Sequence, residues 1–82
     1  MKTLKNSTSK ILLTEREKQV IELIVYEHST IEIANLLYLS KETIKSHRGK
    51  IMFKLDVRNV AGIVREAILG NHITIGNQAH VS

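Results

Sequence analysis

The chain has 82 residues, a formal net charge of +4, and no cysteine or proline. That length supports one small domain with a modest core, for which pairing with a second copy is a common aid. Without cysteine there are no disulfide staples and no cysteine-ligated zinc, and no apolar run approaches the ~20 residues of a membrane-spanning helix.

The aromatic residues are Tyr26, Tyr38 and Phe53, too few for a platform that stacks single-stranded bases. Met1 to Lys10 is polar and basic with no capping signal, so it reads as an arm or linker. Leu13-Thr14-Glu15-Arg16-Glu17 opens a first helix. Thr14 and Glu17 stand at capping-box spacing, and Leu13 is placed to pack back on the first turn. Val20, Leu23 and Ile24 follow at helical spacing, and the helix is expected to end near Glu27 and His28. Ser29 and Glu32 repeat the capping-box spacing and start a second helix with an apolar face of Ile33, Leu36 and Leu37. Ala34 is small enough for another helix to cross closely. Tyr38-Leu39 leaves room only for a tight turn between two steeply angled helices.

Ser40 caps a third helix that runs to about Leu55, ~22 Å at ~1.5 Å per residue. At ~100° per residue, Ile44, Ile51 and Leu55 fall in one narrow arc, with His47 and Arg48 on its flanks. Glu42, Lys45, Ser46, Gly49 and Phe53 point the opposite way. Thr43, Lys50 and Lys54 lie on one edge. Asp56 suits the left-handed residue that ends a helix, because aspartate tolerates that conformation better than most residues. Asn59 caps a fourth helix to about Leu69, with Gly70 as its stop. Val60, Ile63, Val64 and Ala67 form its core face. Ala61, Arg65, Ile68 and Leu69 form a second, partly apolar face that so small a domain cannot bury, which makes it a candidate interface. From Asn71 on the chain reads as a tail, in which Ile73 and Ile75 either pack or fray. The expected fold is therefore all-α: a compact four-helix domain whose second and third helices make a helix-turn-helix. It spans residues 11–73, between an arm at 1–10 and a tail at 74–82.

These residues resemble the LuxR-type, or GerE-type, helix-turn-helix domain. The matching pieces are Leu13-Thr14-x-Arg16-Glu17-x-x-Val20-Ile21, Glu32-Ile33-Ala34, and Leu39-Ser40-x-x-Thr43-Ile44-Lys45-x-His47-Arg48. They continue as Lys50-Ile51-x-x-Lys54-Leu55 and Val57-Arg58-Asn59. The resemblance implies a DNA-binding output domain of a bacterial transcription regulator, dimerising through its last helix. The chain departs from the family where Glu27-His28 and Asp56 replace usual glycines. Gly49 and Gly62 lie inside helices, where glycine costs ~1 kcal/mol relative to alanine.

In such a domain the third helix is expected in the major groove of double-stranded DNA, with Glu42, Lys45, Ser46 and Gly49 over the bases. Lysine donates to guanine O6 and N7, so Lys45 leads this set. Glu42 either accepts from cytosine N4 or complements the positive end of its helix. Ser46 either reads a base or stays solvated, and Gly49 offers only close backbone approach. Thr43, His47, Lys50, Lys54 and Arg58 are placed for phosphates, contacts that carry no sequence information directly. A packed histidine is the alternative for His47, and Arg48 is expected to pair with a first-helix carboxylate, Glu17. No nucleophile, base and orienting group fall into an enzyme-like arrangement, and the histidines lack ligand spacing. Neither catalysis, a metal nor a cofactor is expected. The expected partners are double-stranded DNA, a second copy of the chain and RNA polymerase, in the bacterial cytoplasm. The rival reading is a small adaptor that binds another regulator through its last helix.

Overall fold

In a computed structural model that describes residues 12–70, the chain forms four helices: α1 (Glu15–Val25), α2 (Thr30–Leu37), α3 (Lys41–Leu55) and α4 (Val60–Leu69). The arm at 1–10, the tail at 74–82, and Ile73 and Ile75 lie outside the described residues. Among the described residues there is no strand, so the all-α reading holds.

Every helix begins where a side chain can take up its unpaired N–H groups. Thr14 Oγ1 accepts from Glu17 N at 3.0 Å while Glu17 Oε1 accepts from Thr14 N at 2.9 Å. Ser29 and Glu32 close the same reciprocal box at 3.1 and 2.8 Å. Ser40 Oγ accepts from Thr43 N and Asn59 Oδ1 from Gly62 N, both at 3.0 Å. Each such cap stabilises its helix by about 1 kcal/mol.

The helix ends are less ordinary. α1, α2 and α3 all stop with a left-handed residue and a paired set of closing hydrogen bonds. His28 N donates to Leu23 O and Glu27 N to Ile24 O; Leu39 N donates to Ala34 O and Tyr38 N to Asn35 O; Val57 N donates to Met52 O and Asp56 N to Phe53 O. This is the Schellman arrangement, usually built on glycine because a Cβ is crowded there. Here the three residues are Glu27 (φ 70°), Tyr38 (φ 59°) and Asp56 (φ 59°). Asp56 takes the role foreseen for it. Glu27 stops α1 at Val25, two residues earlier than expected. Gly70 ends α4 but does so in the right-handed region, so its freedom is not used.

The core joins Val20, Ile21 and Ile24 of α1, Ile33 and Ala34 of α2, Ile44, Ile51 and Leu55 of α3, and Ile63 and Ala67 of α4. α3 packs against all three other helices, and α4 also packs on α1. The foreseen apolar face of α2 needs correction: Leu36 is exposed, and Ile33 and Ala34 are what the helix buries. Buried Ala34 has the small side chain that a close crossing of α2 and α3 requires. Gly62 gains a reason as well. A Cβ there would stand 2.6 Å from Val57 Cβ, so glycine lets the loop after α3 lie directly on α4.

Candidate nucleic-acid interface

α3 is anchored on one side and bare on the other. Ile44 and Ile51 are fully buried and Leu55 nearly so. Glu42, Lys45, Ser46, Gly49 and Phe53 are all exposed, and they share the opposite arc. The sequence periodicity thus places the outward set correctly. Thr43, His47 and Lys54 are half-buried along one edge of that arc, and Lys50 is exposed on the same edge.

The charges around α3 are arranged differently from expectation. Glu17, buried at the start of α1, does not pair with Arg48. Its Oε1 accepts from Lys54 Nζ at 2.8 Å, and Lys54 also donates to Leu12 O at 3.0 Å. This pair ties the first turn of α1 to the last turn of α3. The reason lies in reach: Lys54 follows Ile51 by three residues and leans over the α1 terminus, whereas Arg48 leans to α2. Burial pushes the Glu17 carboxyl up. The hydrogen bonds from Lys54 and the Thr14 N–H, with the charges of Lys54 and His47, outweigh that and hold it below the ordinary carboxylate range. Lys54 therefore has one N–H left for a phosphate. His47 stands close enough to Glu17 for its charge to be felt there.

Arg48 instead donates through Nη1 to Thr30 Oγ1, joining α3 to the first residue of α2. Among the described residues no carboxylate pairs with it, and its buried Nε has no partner. The contact crosses 18 positions of sequence, and no local spacing could have announced it. At the start of α2 the Glu32 carboxyl is held low, chiefly by the Ser29 N–H, against slight desolvation and with help from His28.

Arg58 and Arg65 border one shallow cleft of about 430 Å³ where the α3–α4 loop meets α4, with Asp56 and Asn59 on its rim. Arg65 is occupied by Glu66 at 3.1 Å. Ala61, Arg65, Ile68 and Leu69 are all exposed on α4, with Ile68 at 62% and Leu69 at 69%. Sequence reasoning placed Phe53 on the outward arc but gave it no role; it is 81% exposed. Among the described residues no cluster of histidine and acidic side chains could hold a metal ion, and no helix is long and apolar enough to cross a membrane.

Four capped helix starts, a helix-turn-helix and a bare outward arc on its second member define the class. Residues 11–67 match the family described as bacterial regulatory proteins, luxR family, and the chain belongs to it. The chain is 41% identical over 64 residues to the spore germination protein GerE of Bacillus subtilis (strain 168), a match covering 78% of this chain and 86% of GerE. It is 41% identical over 56 residues to the response regulatory protein YgeK of Escherichia coli (strain K12), covering 68% of this chain and 38% of YgeK. The CsgBAC operon transcriptional regulatory protein of the same organism is 39% identical over 54 residues, covering 66% of this chain and 25% of that protein. The chain thus spans most of GerE but well under half of the other two. Its function is that of its family, DNA-binding transcription regulation.

Proposed function

We propose that α3 lies in the major groove of double-stranded DNA, with Glu42, Lys45, Ser46 and Gly49 facing base edges. Thr43, His47, Lys50 and Lys54 meet phosphates along one edge of the helix, and Arg58 meets one beyond its end. Two copies pair through Ala61, Arg65, Ile68 and Leu69 of α4, which sets two recognition helices about one DNA turn apart. The chain acts in the cytoplasm without catalysing a reaction, and bound copies contact RNA polymerase. Residues 11–73 are the working domain, with the arm and tail as its extensions. The observation that carries this reading is the division of α3: three buried apolar residues on one side, five exposed residues clear of the core on the other. At ~22 Å the helix is longer than the ~12 Å groove it would enter.

The test is fluorescence anisotropy of a labelled duplex at rising salt. Affinity should fall with a log–log slope of about −0.9 per phosphate neutralised. Leu69→Asp should abolish the second, cooperative binding event without unfolding the domain. Absence of binding at low salt would reject the reading. The exposed Ile68 and Leu69 would then favour an adaptor that docks another regulator on α4.

A further inference from the structure

The geometry points to Gly49 as a specificity determinant: a notch, one side chain wide, on the outward side of α3, that seats the C5-methyl of a thymine. This rests on the docking proposed above and adds to it the base that is read.

Nothing inside the chain asks for glycine at this position. Its φ is not positive, so the backbone conformation suits any residue. A Cβ built on it would meet nothing within 4 Å, so packing does not exclude alanine. Gly62 is the contrast, since there a Cβ collides with Val57. Glycine in a helix interior is also disfavoured against alanine, so the free chain loses by having it. The demand for an empty position therefore comes from something that approaches α3 from outside.

The surroundings say what kind of group that is. Lys45 and Ser46 precede Gly49 by four and three residues and Phe53 follows by four, all exposed on the same side of the helix. They wall a gap whose floor is helix backbone. That backbone is in mid-helix, where N–H and C=O groups are already bonded within the helix. The floor thus offers no hydrogen bond, and Phe53 offers none either. A donor or acceptor seated on that floor against Phe53 would lose its water and gain no partner there, whereas Lys45 and Ser46 serve the polar edges beside it. The one apolar group on the major-groove edges is the thymine C5-methyl, and phenylalanine is among the side chains that pack on it. Lys45, at the other wall, remains free to donate to a neighbouring guanine.

The experiment begins with selection of a preferred duplex by the intact chain. Each thymine is then replaced by deoxyuridine, which deletes only the methyl group, and binding is followed by anisotropy. One position per half-site should lose affinity about fourfold, the worth of one buried methyl. Gly49→Ala should bind the selected duplex more weakly and lose the thymine-over-uracil preference. Its melting temperature should rise, so misfolding cannot account for the change. Phe53→Ala should lose the same preference while keeping the dependence on salt. Specific binding that ignores every deoxyuridine, or a Gly49→Ala variant with an unchanged preference, overturns the inference and leaves the DNA-binding reading intact. Failure to select or bind any duplex overturns both.

Discussion

Replacing Tyr38 with glycine should stabilise the protein, although glycine is usually a poor choice next to a helix. Tyr38 ends α2 at φ 59° and ψ 43°, and 93% of its surface is exposed. An L residue in that conformation costs about 1–2 kcal/mol, because its Cβ crowds the following carbonyl. Glycine removes that cost. It returns about 0.5–1 kcal/mol as extra freedom in the unfolded chain. The side chain is so exposed that little packing is lost with it. The net gain is about 0.5–1 kcal/mol, and the same sum holds for exposed Glu27 at φ 70°. Asp56 should gain less, since aspartate tolerates the left-handed region. The helix ends at Tyr38 and Glu27 share no hydrogen-bonding partner, so the two gains should add. For a domain of this size each 1 kcal/mol moves the melting temperature by about 4–8 °C. Circular dichroism during thermal and urea unfolding reads the effect. The decisive controls are Tyr38→Ala and Glu27→Ala, which keep the Cβ. If alanine stabilises as much as glycine, backbone strain is not the cause and the reasoning fails.

Two further predictions concern the anchoring of α3 and α4. Lys54→Met should cost about 1–3 kcal/mol in urea unfolding near pH 7, because buried Glu17 keeps only the Thr14 N–H. The wild type holds Glu17 below its unfolded value, so this contribution is complete above the unfolded pKa of ~4.3 and fades as pH falls through the lower folded value. The variant should show a shallower loss of stability in that acid window; equal slopes would disconnect Lys54 from the carboxyl. Gly62→Ala should destabilise by about 1–3 kcal/mol, since the added Cβ meets Val57 Cβ at 2.6 Å and neither atom sits at the end of a flexible chain. Calorimetry of Gly62→Ala beside Gly49→Ala should give shifts of opposite sign for the same chemical change.

Local chemistry made most of the fold legible. Caps at Thr14, Ser29, Ser40 and Asn59 pair residues only three positions apart, and each forms the bond its spacing implies. The two faces of α3 and of α4 followed from periodicity, because one buried stripe dictates the exposed one. What stayed hidden depends on contacts far apart in sequence. Lys54 reaches Glu17 across 37 positions and Arg48 reaches Thr30 across 18, and only the packing angle of α3 decides which cation meets which partner. Leu36 was misread because a helix of eight residues has too few turns for periodicity to fix its buried side. The absent glycines at Glu27 and Asp56 looked like departures from the family pattern. The backbone turns left-handed there all the same, since the Schellman bonds depend on main-chain atoms.

The distribution of charge on α3 bears on how the helix would sit in a groove. A helix shaped only by water would turn its charges outward and its neutral residues inward. α3 does otherwise. Its most outward arc carries one negative and one positive charge, Glu42 and Lys45, which cancel, beside neutral Ser46, Gly49 and Phe53. The remaining outward lysines lie toward the rims at ~100° per residue: Lys50 and Lys54 on one side and Lys41 on the other, while Arg48 is turned in to Thr30. A major groove has the complementary plan. Its floor presents neutral donors, acceptors and methyl groups, and its two edges are lined with phosphates. Cations on the rims can neutralise both edges while the neutral centre goes down to the floor. A charge at Gly49 or Phe53 would have to shed its water for a single base contact. The low charge of the outward arc, costly to solubility in the free chain, is what the proposed docking asks of this helix.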